Sequence, residues 1–332
     1  MKLSVLDQSV VAKGDSAAET FRKTVKLAQV AEELGYTRFW VAEHHNSNGM
    51  AGSSPEILIS HIASGTTRIK VGSGGILLPQ YSPYKIAENF NVLQTLFPGR
   101  IDLGIGRSPG GSASTRLALT DGVRKSLNEF PRQLRDLQGF LHKEHPEGHP
   151  YQQVQAFPQA EDPALLWLLG ITHRGARLAA EHGVAFTYGH FINPDNGKRA
   201  LDTYFSQFQP SVALSEPKAN VCIFVVCAET QEEAERLALS QDMWLLAVEE
   251  GRDTRLISSI EAEDTQLIHE EKEKMTENRK RMLVGTPAKI KEELKTLSEI
   301  YRTDEFMVIT NIHDFQGKLN SYKLLADVIG LS

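Results

Sequence analysis

Eight short apolar segments of strand character recur along the 332 residues, each followed by a stretch of helical periodicity, and this alternation leaves few folds open. The segments are residues 3–6, 39–42, 69–78, 101–106, 165–169, 184–187, 221–226 and 306–309. Helix starts are marked between them. Ser16-Ala17-Ala18-Glu19 and Thr230-Gln231-Glu232-Glu233 have the spacing of a capping box, and Ser54-Pro55 and Ser82-Pro83 put a cap residue before a proline suited to the first helical turn. Phe21, Val25, Ala28, Ala31 and Leu34 then follow at helical spacing until Gly35. Strands joined by such crossovers lie parallel and right-handed, and eight repeats close a (β/α)8 TIM barrel. An open doubly wound sheet fits less well, because the first strand-helix turn has no G-x-G-x-x-G fingerprint and no linker divides the chain. One barrel domain over residues 1–332 is expected.

Composition narrows the partners. With 41% hydrophobic residues the chain can bury a large core, and a net charge of -6 offers no footprint for nucleic acid or an anionic membrane. Asp7 arrives too early for a signal peptide and no apolar run could span a bilayer, so a soluble, cytoplasmic protein is expected. Cys222 and Cys227 lie at odd separation on one predicted strand and so face opposite ways, as core thiols rather than a disulfide or a metal site.

Two segments break the rhythm. Residues 142–150, with His142, His145 and His149, read as a solvated loop in preference to a three-histidine metal site. Residues 249–284 are dense in charge and poor in apolar period, which predicts an insertion before the last strand, either a mobile excursion or a lid that orders over the strand ends with ligand.

In a parallel barrel, chemistry gathers at the carboxyl ends of the strands. Asp7-Gln8-Ser9, Glu43-His44-His45, Ser73-Gly74-Gly75, Gly104-Ile105-Gly106-Arg107 and Gly170-Ile171-Thr172-His173-Arg174-Gly175 all fall there. Strand alternation sends His44 and His45 apart, so one can face a ligand while the other supports it. His44 suits general acid-base work or a neutral hydrogen bond to a heterocycle, and Glu43 either orients it or pairs behind the sheet. A metal held by Glu43, His44 and His45 is disfavoured because adjacent strand residues do not converge, and no hydrolase motif is present. Gly74-Gly75 within an apolar strand has two accounts, barrel curvature or a flat ligand against the main chain. Arg107 offers a forked cation, and Thr172, His173, Arg174 and Gly175 lie where a helix N-terminus favours an anion; together they specify a phosphate pocket.

Trp40-Val41-Ala42-Glu43-His44-His45, Gly74-Gly75-Ile76-Leu77-Leu78-Pro79, Ala87-Glu88-Asn89-Phe90-Asn91-Val92-Leu93, Gly99-Arg100-Ile101-Asp102-Leu103-Gly104-Ile105-Gly106-Arg107 and Val284-Gly285-Thr286-Pro287, in this order, resemble the bacterial luciferase-like flavin-dependent monooxygenases. The resemblance covers nearly the whole chain. It implies a barrel that binds FMN, as FMNH2, at the strand ends and oxidises a small organic substrate with O2 through a flavin C4a-peroxide. NAD(P)H would be the indirect reductant, through a flavin reductase. By position, His44 matches the acid-base histidine near the flavin, Gly74-Gly75 a pair often joined by a cis peptide beneath the ring, and Arg107 and residues 172–175 the phosphate elements. The resemblance also implies a homodimer through the helices after the second and third strands. Gly106 stands where the luciferases carry a cysteine, and Ile171 and His173 replace small polar residues of the phosphate loop. The alternatives are a deazaflavin-dependent hydride-transfer enzyme on the same barrel and a flavin-binding protein without turnover. Neither residues 109–115 nor the insertion selects a substrate.

Overall fold

The computed structural model describes residues 1–108 and 110–331; Pro109, in the loop that was uninformative about substrate, and Ser332 lie outside the described residues. The strands are β1 (Lys2–Asp7), β2 (Arg38–Val41), β3 (Lys70–Ser73), β4 (Ile76–Leu77), β5 (Ile101–Gly106), β6 (Leu165–Gly170), β7 (Ala185–Gly189), β8 (Ala219–Cys227), β9 (Met282–Gly285) and β10 (Glu305–Ile309). The helices are α1 (Ala17–Glu33), α2 (Pro55–Ser64), α3 (Pro83–Leu96), α4 (Ala113–Leu119), α5 (Phe130–His142), α6 (His173–Glu181), α7 (Gly197–Gln207), α8 (Gln231–Glu250), α9 (Ser259–Glu263), α10 (His269–Asn278), α11 (Pro287–Tyr301) and α12 (Phe315–Ile329).

Eight strands pair in parallel in the order β1-β2-β3-β5-β6-β7-β8-β10, and β10 returns to β1, which closes the TIM barrel. The single strand expected over residues 69–78 is two strands, broken at Gly74-Gly75: β3 pairs with β2 and the lower part of β5, and β4 with the upper part of β5. Local chemistry explains the helix starts. Ser16 Oγ accepts from Glu19 N at 3.1 Å and Thr230 Oγ1 from Glu233 N at 3.1 Å, whereas Ser54 and Ser82 make no cap bond and leave the start to the proline that follows.

Alternation along β8 sorts the core. Val221, Ile223, Val225 and Cys227 pack with the helix layer, while Cys222, Phe224 and Val226 join the barrel interior with Leu6, Trp40, Trp167 and Met307. The two cysteines are therefore free, buried and on opposite faces.

The amino ends of the strands are closed by charge. Arg38, at the start of β2, donates from Nη1 to Asp102 Oδ2 at 2.7 Å and from Nε to Glu305 Oε1 at 2.6 Å. Trp40 Nε1 at 3.1 Å and Ser4 Oγ at 3.0 Å supply further donors to Asp102 and Glu305. All three charged residues are buried. Burial pushes the Arg38 pKa down, but the two carboxylates outweigh it and raise it overall, so the guanidinium stays charged.

The segment after β8 departs from the regular cycle. α8 packs with α9, α10 and β9, and the outer position between α7 and α12 is taken by α11. β9 pairs with the upper half of β8, from Phe224↔Met282 to Cys227↔Gly285. Residues 249–284 thus carry α9, α10 and β9. They cross the loops after β1 and β2: Leu256 N donates to Val11 O at 2.9 Å, Lys13 N to Leu256 O at 2.8 Å, and Asn48 Nδ2 to Asp253 Oδ1 at 3.1 Å. In the histidine-rich loop the His145 and His149 rings stack with centroids 4.5 Å apart, and His149 Nε2 lies 3.2 Å from Asp136 Oδ1. Among the described residues no group of three or more His, Cys, Asp or Glu side chains could hold a metal ion. No helix among them is long and apolar enough to cross a membrane.

Candidate active site at the carboxyl rim of the barrel

Trp40 and Ala42 belong to the barrel interior and Phe39 and Val41 to the helix layer; β2 ends at Val41, and Glu43, His44 and His45 follow directly at its carboxyl end. Glu43 is buried, and it ties three neighbours to the strand end. Its Oε2 accepts from Leu77 N at 2.8 Å, its Oε1 lies 2.6 Å from His45 Nε2, and the Tyr81 hydroxyl donates to Oε1. Glu43 bonds to His45 and makes no bond to His44 among the described residues.

His44 is the less committed imidazole. Its backbone N donates to Gly52 O at 2.8 Å, while its Nδ1 is buried and has no partner among the described residues. Burial, with a smaller push from His45, brings the His44 pKa down to about 4, so the ring is neutral near pH 7. Asp7, another rim candidate, turns outward instead and is engaged by Lys318 Nζ at 2.8 Å and Thr24 Oγ1 at 2.6 Å. Burial alone would raise its pKa, but Lys318 and these bonds hold it below the usual carboxylate value.

The Gly74-Gly75 peptide is cis. Close packing accounts for glycine here: a Cβ at Gly75 would stand 2.7 Å from Gly104 O, and one at Gly104 2.0 Å from Ser73 O. Ser73 Oγ adds bonds to both Gly104 O at 2.8 Å and Gly104 N at 3.0 Å, a clasp between β3 and β5 that the sequence did not signal. Gly106 differs. Among the described residues, a Cβ there would meet nothing nearer than 3.9 Å, so they leave room for a larger side chain or for a ligand.

Register places the remaining residues on the same rim. Gly74 N donates to Val41 O at 2.8 Å, Leu77 lies beside Gly106, and Gly106 beside Leu169, so the ends of β2, β3, β4, β5 and β6 follow one another around the mouth. Arg107 continues β5 as an exposed cation with no ion pair among the described residues. Thr172 caps α6 by accepting from Gly175 N at 3.3 Å. Arg174, Arg177 and Arg199 are exposed around it, and after its partial burial they are what depresses the His173 pKa. The α6 N-terminus is therefore cationic as well as rich in free amides, which suits an anion. Tyr81 and the His45-Glu43 bond are site features that sequence reasoning missed; Tyr81 is brought in by the turn after β4, 38 residues from Glu43.

Comparison with known proteins identifies the family. A family model described as luciferase-like monooxygenase matches residues 1–304. The chain is 37% identical over 331 residues to an N-acetyl-S-alkylcysteine monooxygenase of Bacillus subtilis (strain 168), covering 99% of this chain and 98% of that one. It is 36% identical over 325 residues to a luciferase-like monooxygenase of Escherichia coli (strain K12), covering 98% and 96%. The crystal structure of apo-MsnO8 superposes with a TM-score of 0.90 at 34% identity, covering 100% of this chain and 99% of that one. The chain belongs to the luciferase-like monooxygenase family.

Proposed function

We propose that the protein binds FMN across the β2 to β6 arc of the rim and, given FMNH2, inserts one atom of O2 into a small organic substrate. The observation that carries this reading is the buried Nδ1 of His44, on a neutral ring just past the end of β2, which has no partner among the described residues. A cofactor with polar edges fits such an atom, and the space at Gly106 and the exposed Arg107 and Arg174, neither ion-paired among the described residues, fit a flat ring with a phosphate tail. In this reading Arg107, Thr172, His173, Arg174 and Gly175 hold the phosphate. Gly74 and Gly75 offer main chain to the ring, and His44 holds or moves a proton beside it. Glu43 is a positioning residue, since it fixes His45, Leu77 and Tyr81. Reduced flavin supplies the two electrons, so that one oxygen atom enters the product and the other leaves as water.

NAD(P)H would serve indirectly, through a separate flavin reductase, and the protein would act in the cytoplasm. Residues 249–284 would act as a lid, since they already bond to the loops after β1 and β2. A homodimer would form through α2 and α3, where Ile57 is 73% and Leu96 60% exposed. The relative named for N-acetyl-S-alkylcysteine makes thioethers the first substrates to try.

The test is a spectroscopic titration with FMN, FMNH2 and a deazaflavin, followed by oxygen uptake with FMNH2 and a thioether. Tight FMNH2 binding with substrate-dependent product formation is expected. Preference for the deazaflavin would point to hydride transfer instead, and flavin binding without turnover to a carrier.

A further inference from the structure

The inward stripe of α8 contains one residue that does not match its neighbours. Ala234, Leu237, Ala238, Trp244 and Leu245 join the same buried cluster as barrel-lining Leu6, Trp40, Phe224 and Ile309. Gln241 lies three and four residues from Ala238, Leu237, Trp244 and Leu245, which sets it on that stripe. Its side chain is completely buried, and neither Nε2 nor Oε1 has a partner among the described residues. One turn further on, Trp244 is 5% exposed and its Nε1 is also unpartnered. Buried polar groups are nearly always bonded, because leaving them without a partner forfeits their hydration.

We infer that Gln241 is a specificity residue that reads a carboxamide on the organic substrate, with Trp244 Nε1 as an additional donor. The inference rests on the flavin placement proposed above. The flavin elements occupy the ends of β2, β3, β5 and β6, whereas α8 packs on β8 and β9, across the mouth from them. In that placement the substrate would lie between them. A glutamine amide offers donors at Nε2 and an acceptor at Oε1. A carboxylate would leave Oε1 unpaired and an ammonium would leave Nε2 unpaired, but an N-acyl amide engages both through its carbonyl and its N–H. A site built in this way discriminates strongly against an analogue lacking one of those groups.

The test compares N-acetyl-S-methylcysteine with its ester isostere, in which oxygen replaces the amide N–H, on the full-length protein and on Gln241→Leu. Three readouts are taken: quenching of tryptophan fluorescence for Kd, kcat/KM with FMNH2 and O2, and the melting temperature without ligand. The wild type is expected to prefer the amide by at least about tenfold in Kd, equal to about 1.4 kcal/mol, and Gln241→Leu to lose that preference. The ligand-free variant is expected to melt at a higher temperature, since an unpaired buried amide has been replaced by a hydrocarbon of similar size. A wild type without amide preference, a preference that survives in Gln241→Leu, or a lower melting temperature for the variant would each overturn the inference. Absence of FMN binding would instead count against the flavin reading, while the fluorescence and melting results would still judge Gln241.

Discussion

His45 Nε2 stands 2.6 Å from Glu43 Oε1, and the same carboxylate also receives the Leu77 amide and the Tyr81 hydroxyl. One side chain thus fastens the end of β2 to β4 and to the turn that follows it. Glu43→Gln keeps the shape but replaces one acceptor oxygen with a donor nitrogen, so either the Leu77 amide loses its acceptor or the His45 and Tyr81 groups must reverse from donors to acceptors. The expected cost is about 1–3 kcal/mol, read as a lower midpoint in urea unfolding. An unchanged midpoint would mean that these bonds contribute nothing net to the rim.

His44 makes stability depend on pH. Its pKa is about 4 in the folded protein against 6.5 for an unperturbed histidine, so between these values the unfolded chain binds more protons than the folded one. Stability then rises with pH through that window, is complete above about pH 6.5, and is lost as pH falls toward 4. His44→Asn is expected to remove up to one proton's worth of this slope. Urea unfolding of both proteins from pH 4 to pH 7.5 measures it, and parallel curves would show that His44 is not the titrating group.

The barrel was legible from the alternation of elements because each strand and each cap is a local pattern: Ser16, Thr230, Pro55 and Pro83 mark helix starts wherever the helix goes. The place of α8 was not legible. Its stripe of Ala234, Leu237, Ala238 and Leu245 has the same period whether it packs outside the barrel or on the extended end of β8. The candidate rim residues were read from their positions at strand ends, but the Leu77 amide and the Tyr81 hydroxyl, which also bond to Glu43, reach it only after the break at Gly74-Gly75. The Arg38, Asp102 and Glu305 network was invisible for a similar reason, since 64 residues separate the first two and 267 separate the first from the last.

That network gives a prediction at the opposite end of the barrel. Arg38→Met strands two buried carboxylates without their cation, and breaking a buried pair in this way costs about 3–5 kcal/mol. Urea unfolding should show a loss of that size, while FMN affinity in the fraction that remains folded should be unchanged, because the network lies at the amino ends of the strands. A small loss would mean that water enters the barrel floor and hydrates the carboxylates.

The phosphate contact proposed for Arg107 can be tested apart from the ring. It is exposed, carries no ion pair among the described residues, and follows directly from β5 beside the space at Gly106. An unpaired guanidinium exposed at the rim would add only a modest charge-assisted bond to a phosphate, worth about 1.4 kcal/mol, or about tenfold in Kd. Arg107→Ala should therefore weaken FMN about tenfold and leave riboflavin, which has the same ring and no phosphate, unaffected. Raising the salt concentration should reduce the difference between wild type and variant, since the lost contact is electrostatic and open to solvent. Equal weakening of FMN and riboflavin would place Arg107 against the ring, and no weakening of either would move the phosphate to Arg174 and the N-terminus of α6 alone.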